Sequence, residues 1–218
     1  MLGAFLLRDV LTFEALRENR SVLLSFRDEH YALTALVLVG FYIGLVTFSL
    51  PGATMATLTG GFLFGVFPGV LFNMTGATVG AILIFLAARR GFGERMAARM
   101  DTGSGVVQRL KAGIDRNQWE MLFLIRLVPA VPFFVANLLP ALMAVPLHRF
   151  AISTFFGIMP GALVYTSVGA GLGEVFDKGE TPDLGVIFAP QVLLPILGLC
   201  ALASLPILIK SLRGGKAI

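Results

Sequence analysis

Arg126 and Asn137 stand inside residues 121–147, an otherwise apolar run punctuated by Pro129, Pro132, Pro140 and Pro146. A guanidinium can bind a phosphate or another anion through paired, charge-assisted hydrogen bonds. At bilayer depth an arginine costs roughly 2.5–3.5 kcal/mol on insertion scales, so it is rarely retained without a role. Prolines remove backbone donors and break helices, and broken backbone inside a bilayer is tolerated only beside protein or a water-filled cavity. The spacing therefore predicts a re-entrant hairpin over residues 119–147 that lines a polar cavity. That is the signature of a protein that moves molecules across, or within, a membrane. Other roles for Arg126 stay open: capping broken carbonyls, snorkelling to the surface near Trp119, or pairing with Glu120 or Glu174.

Other side chains could join that chemistry. Asn137, Thr57, Thr59, Asn73 and Thr75 either line a polar path or satisfy backbone groups freed by nearby Pro and Gly. Gly60, Gly61 and Gly65 permit close backbone approach, and Pro129 and Pro132 bend the second hairpin. Gly169-x-Gly171-x-Gly173 follows a membrane helix and no strand, so it does not make a dinucleotide site. His30 and His148 have no ligand spacing around them, which excludes a metal centre, and no cofactor is expected. The chain also lacks a Ser-His-Asp set and paired catalytic carboxylates, so an enzyme is the weakest class.

Composition supports the same class. The 218 residues are 56% hydrophobic and only 14% charged, with a mean hydropathy of +0.86. A soluble domain carries closer to a quarter charged residues. The single Cys200 excludes a disulfide. A pI near 9.6 could suggest nucleic acid, yet the basic residues sit beside apolar spans, and positive-inside topology accounts for them. Nucleic acid is not an expected partner.

The elements that must position these residues follow from hydropathy and breakers. Residues 1–30 alternate charge and apolar side chains like an amphipathic interfacial helix, too acidic for a cleaved signal peptide. A single membrane domain is expected over 31–212. Tyr31–Leu50 spans once, a first re-entrant segment covers about 51–68, and Gly69–Arg89 spans back with Gly76 and Gly80 as a small-residue packing face. A charged helix, 90–118, is cytoplasmic, and it anchors by its positive charge or recruits anionic headgroups. After the second hairpin, Phe150–Leu172 spans outward and Leu184–Ile209 returns to a tail at 213–218. The fold class is thus all-α and polytopic, with about four spans, two oppositely oriented re-entrant hairpins and both termini cytoplasmic. That inverted layout is one in which transporters place a midplane site. Phe64-Gly-Val-Phe-Pro-Gly and Phe156-Gly-Ile-Met-Pro-Gly echo each other, as a duplication would leave them.

Several motifs occur in an order that resembles a known group. They are GGFLFG (60–65), Gly-Ala-Thr-Val-Gly running to AARRGFGE, Arg126-x-x-Pro129-x-x-Pro132-Phe133 with Asn137, and Phe150-x-x-x-Thr154-x-x-Gly157-x-x-Pro160-Gly161 with Tyr165. Over about residues 45–175 the chain resembles the VTT-domain superfamily, also called SNARE-associated Golgi proteins and related to DedA. Pro132 in place of a second arginine, and the absence of Asp or Glu from residues 31–93, resemble its TVP-like branch and weaken any claim of proton coupling through a hairpin carboxylate. The resemblance implies lipid scrambling or flipping of polyprenyl phosphates, in bacteria at the inner (plasma) membrane. Taken with the residue types above, Arg126, Asn137, Thr57, Thr59, Asn73 and Tyr165 are the expected cavity residues. Gly60, Gly61, Gly65, Pro129, Pro132, Gly157 and Pro160 would shape the hairpins. Membrane lipids, anionic ones or polyprenyl phosphate among them, are the expected partners, and a homo-oligomer is allowed. A secondary transporter of a small anion and a non-transporting membrane scaffold are the alternative functions.

Overall fold

The computed structural model describes residues 13–101, 117–127, 131, 133–143 and 145–177, with isolated positions between 190 and 204. At 13, 92–101, 133–135, 174 and 177 it describes the backbone alone. Every regular element among the described residues is a helix: α1 Phe13–Glu18, α2 Arg20–Glu29, α3 Tyr31–Thr47, α4 Ala53–Phe64, α5 Gly69–Asp101, α6 Gln118–Leu127, α7 Phe133–Leu142, α8 Leu147–Gly157, α9 Met159–Ala170 and α10 Leu172–Asp177. The chain divides into two compact units, one of Met1–Gly80 with Met159–Ala189 and one of Ala81–Ile158 with Pro190–Ile218.

Within α5, Gly69–Gly91 is long and apolar enough to cross a membrane on its own. Up to three spans result if two bent pairs, α2 with α3 and α8 with α9, each count as one. The bend between α2 and α3 is 116°, too sharp for one straight crossing, and α2 has no buried residue. It is a short helix, set at a steep angle to α3, with charged and apolar side chains along it. The segment expected as a first hairpin contains the 12-residue α4, about 18 Å long at 1.5 Å per residue. It is too short to cross. Helix α5 does not stop where the apolar residues do but continues to Asp101; residues 102–116 lie outside the description.

In the first unit α4 is the buried element. Eight of its 12 residues, Thr57, Leu58, Gly60 and Gly61 among them, are shielded from solvent. Helix α3 ends with Ser49 at φ +50°, its N–H on Val46 O and the Leu50 N–H on Leu45 O at 2.8 Å. These two bonds close the last turn as a Schellman motif. Pro51-Gly52 then turns the chain back, with Gly52 at φ +123°. Tyr31 meets Phe64 edge to face and Tyr42 meets Thr57, so α3 and α4 are antiparallel. Gly76 and Gly80 receive α3: a Cβ on Gly76 would lie 2.7 Å from Tyr42 Cβ, and one on Gly80 2.7 Å from Val46 Cβ. That ordering makes α3 and α5 parallel. The in–out–in path expected for residues 31–89 is therefore not the one adopted. Helices α3 and α4 form the two arms of a hairpin, and α5 departs from the end at which α3 began.

The second unit repeats the pattern with shorter arms. Arg149 donates to Gln118 Oε1 at 2.8 Å and covers the Trp119 ring, while Gly157 packs on Phe123 and Arg126. Helices α6 and α8 therefore run in the same direction. Chain between Leu127 and Leu147 must return over about the length of α6, and α7 is its regular part. At both Phe-Gly…Pro-Gly motifs one helix closes and the next opens. Gly65, at φ +72°, caps α4, α8 ends on Gly157, and Pro160 sits in the first turn of α9, where its missing N–H costs nothing.

A Cβ on Gly61 would fall onto the Thr166 carbonyl oxygen, whereas one on Gly44 meets nothing within 4 Å. Gly61→Ala should destabilise by about 1–3 kcal/mol through overpacking. Gly44→Ala should be neutral or stabilising, since alanine is favoured over glycine in helices by about 1 kcal/mol. Thermal unfolding of the two variants in detergent, read by size exclusion, should separate their midpoints by several degrees; coincident midpoints would refute the close approach.

Candidate functional site

Arg126 lies in the last turn of α6, on a helix that buries Leu122 and Ile125. It faces a stripe of α8 made by Phe150, Thr154 and Gly157, spaced by four and three residues so that all three share one face. Arg126 Nη2 donates to Thr154 Oγ1 at 2.8 Å. The Cζ atom lies 5.1 Å from the centroid of the Phe150 ring, a cation–π contact that strengthens when desolvated. Phe150 is itself stacked on Phe85 at 4.4 Å, and both rings are fully buried. At Gly157 an added Cβ would lie 2.7 Å from Arg126 Cβ, so the absence of a side chain there makes room for the arginine stem. The guanidinium is thereby held at Nη2 and at Cζ. The side chain is half-buried with Nη1 sealed from the surface. It does not run freely into solvent, and residues 120–146 are not one helix.

Asn137 sits in the middle of α7 with no exposed surface. Neither its Oδ1 nor its Nδ2 meets a hydrogen-bond partner among the described residues. A buried amide left unmet costs about 1–3 kcal/mol. Pro129 and Pro132, the predicted hairpin formers, lie outside the described residues.

The remaining candidates gather in the first unit. Asn73 on α5 donates through Nδ2 to Thr57 O at 2.9 Å and to Thr166 Oγ1 at 3.1 Å. Its Oδ1 is buried without a hydrogen-bond partner among the described residues, pressed against Gly60 where any side chain would collide with it. Thr57 donates to Ala53 O at 2.8 Å. Its single proton is thus committed, and in the 2.9 Å contact with Tyr42 the tyrosine hydroxyl donates. Thr59 donates to Met55 O within its own helix, Tyr165 is half-buried on α9, and Thr75 is exposed. Gly60, Gly61 and Gly169 let α4 meet the start of α5 and the end of α9 backbone to backbone. The structure thus gathers Thr57 and Asn73 into one hydrogen-bonded knot with Tyr42 and Thr166. It holds Arg126 and Asn137 in the other unit.

Sequence reading passed over Tyr42, Thr166, Phe85 and the roles of Phe150 and Thr154. For the last two a signal existed, because Phe150, Thr154 and Gly157 share one helical face opposite a lone arginine. Among the described residues no group of three or more His, Cys, Asp or Glu could hold a metal ion.

Removing the Thr154 hydroxyl should expose the cost of the cation. Thr154→Val, which keeps the shape, should destabilise the protein by about 1.5–3 kcal/mol, the worth of a hydrogen bond to a charged group. Thr154→Ser should keep most of that stability. Equal denaturation midpoints for valine and serine would show that the bond carries nothing.

Comparison with known proteins yields one family and a set of distant relatives. The VTT domain matches residues 50–171. Over 209 residues the chain is 26% identical to a Transmembrane protein 41 homolog of Dictyostelium discoideum, covering 94% of this chain and 60% of that protein. Identity to the uncharacterized protein YqeD of Bacillus subtilis is 32% over 120 residues, 55% of this chain and 57% of that one. Identity to human Transmembrane protein 41B is 27% over 177 residues, 79% of this chain and 59% of the relative. The chain spans about three fifths of the length of these curated relatives. No solved structure matches it.

Proposed function

The chain belongs to the VTT-domain family of membrane proteins, and from that premise we propose that it translocates lipids or lipid-linked phosphates across the bilayer. The observation that carries this reading is the clamped guanidinium. A cation held at Nη2 by Thr154 and at Cζ over the Phe150 ring is positioned, as bidentate recognition of phosphate oxygens requires. The Asn137 amide, fully buried and unmet by the described residues, adds a donor and an acceptor for a headgroup.

The parallel courses of α3 with α5 and α6 with α8 support a re-entrant layout. In each unit a short helix brings the chain back before the next helix sets out. Helices α6 and α7, 10 residues each, reach about 15 Å, half of a hydrocarbon core of about 30 Å. We read α3–α4 and α6–α7 as two re-entrant hairpins in a multi-pass protein of the bacterial plasma membrane. The basic stretch from Arg89 is taken as cytoplasmic. No nucleotide-binding motif is present in the sequence, and exchange on this reading is energy-independent or uses a weak external coupling.

The test is leaflet exchange of a fluorescent phospholipid in liposomes containing the purified full chain. Protein should accelerate exchange, and Arg126→Ala and Arg126→Lys should both lower the rate, by about tenfold per 1.4 kcal/mol of lost headgroup binding. Exchange equal to that of empty liposomes overturns the proposal. Uptake of inorganic phosphate without lipid exchange would assign the same cation to a soluble anion instead.

Asn137 offers a separate check. Asn137→Leu removes an unmet amide at nearly constant volume, so stability should hold or rise while exchange falls. Lost stability together with unchanged exchange would make Asn137 structural.

A further inference from the structure

A groove of about 490 Å³ lies in the first unit between α1–α2 on one side and α3–α4 on the other. Its walls include Leu16, Leu23, Phe26, Val37, Phe41 and Met55. The polar side chains that reach it are already committed to their own helices. Asn19 donates to Ala15 O at 2.9 Å, Thr34 to His30 O at 3.0 Å and Thr59 to Met55 O at 2.8 Å. The rest of the lining is apolar, and the volume is that of a small-molecule site. An apolar occupant fits it best.

Two observations say which apolar occupant. The groove opens onto an exposed apolar surface: Val37 and Phe26 line it while 60% and 44% exposed, beside Leu36 at 70% and Leu33 at 49%. One wall is helix α2, which carries both signs of charge in Arg20, Arg27, Asp28 and Glu29. Arg27 pairs with Asp28 at 2.7 Å and donates to Leu63 O, which fixes this mixed-charge helix across the end of α4. We propose that the groove holds one acyl chain of a zwitterionic phospholipid, its headgroup level with α2 and its tail between Phe41 and Met55. Mixed charge complements a phosphate next to an ammonium better than an anionic headgroup, and flexible Leu and Met walls suit a flexible chain. No residue of the second unit takes part, so this bound lipid is distinct from the one Arg126 is proposed to engage.

The test uses the full chain in phosphatidylcholine liposomes with a phosphatidylcholine bearing a photoactivatable diazirine in its acyl chain. After irradiation, mass spectrometry should find adducts on Met55 and Leu63, inside the groove, as well as on exposed Leu33 and Leu36. Thr59→Phe, which fills the groove from α4, should reduce the Met55 adduct about tenfold and leave Leu36 labelling unchanged. Ala15→Phe fills it from the opposite wall and should do the same, which guards against one variant failing to fold. Wild-type adducts confined to Leu33 and Leu36 would show a groove closed to lipid and overturn the proposal. So would Met55 labelling that survives both variants. Leaflet exchange measured in parallel separates the two readings, because loss of groove labelling with exchange retained leaves the Arg126 site standing.

Discussion

A polar group buried among apolar helices has to be answered from within the chain, because surrounding lipid offers it no hydrogen bond. In the second unit the group is a cation, and the answer is one face of α8: a hydroxyl from Thr154, an aromatic face from Phe150 and an empty Cβ position at Gly157. In the first unit the groups are neutral. Asn73 ties Thr57 to Thr166 across three helices, and Tyr42 closes the knot from a fourth. Such a knot specifies helix register more sharply than apolar contact does, since its hydrogen bonds require particular distances and angles.

Glycine makes both arrangements possible. Helices sit about 8–10 Å apart with ordinary side chains between them, too far for an asparagine on α5 to reach the backbone of α4. Gly60, Gly61 and Gly169 remove the spacer and bring main chain against main chain. Where membrane helices gain little from hydrophobic association, close packing and interhelical hydrogen bonds become the forces that hold them. The price is intolerance: a single methyl at Gly61 or Gly169 lands on a carbonyl oxygen.

Local features were legible in the sequence, and long-range ones were not. The helix ends at Pro51-Gly52 and at both Phe-Gly…Pro-Gly motifs, the small face of Gly76 and Gly80 and the lone arginine all follow from residue type and spacing. Direction did not follow. Tyr31–Leu50 has the length of a span and reads as one crossing, yet Gly76 and Gly80 accept α3 in parallel, which turns α3 and α4 into a hairpin. Hydropathy measures depth and is blind to which way a segment runs. The partnership of Asn73 with Thr166, 93 residues apart, leaves no local periodicity to detect. The groove under α1–α2 was hidden for the same reason, since its walls come from four helices.

The account stands on the coupling between Arg126 and Thr154. A double-mutant cycle of Arg126→Met and Thr154→Val, read as unfolding free energy in one detergent, isolates that pair. Its coupling should be about 1–2 kcal/mol, within the range found for residues in direct contact. Changes that add to within about 0.3 kcal/mol, as they do for independent sites, would mean the guanidinium is not held where it is described, and the anion site would lose its basis.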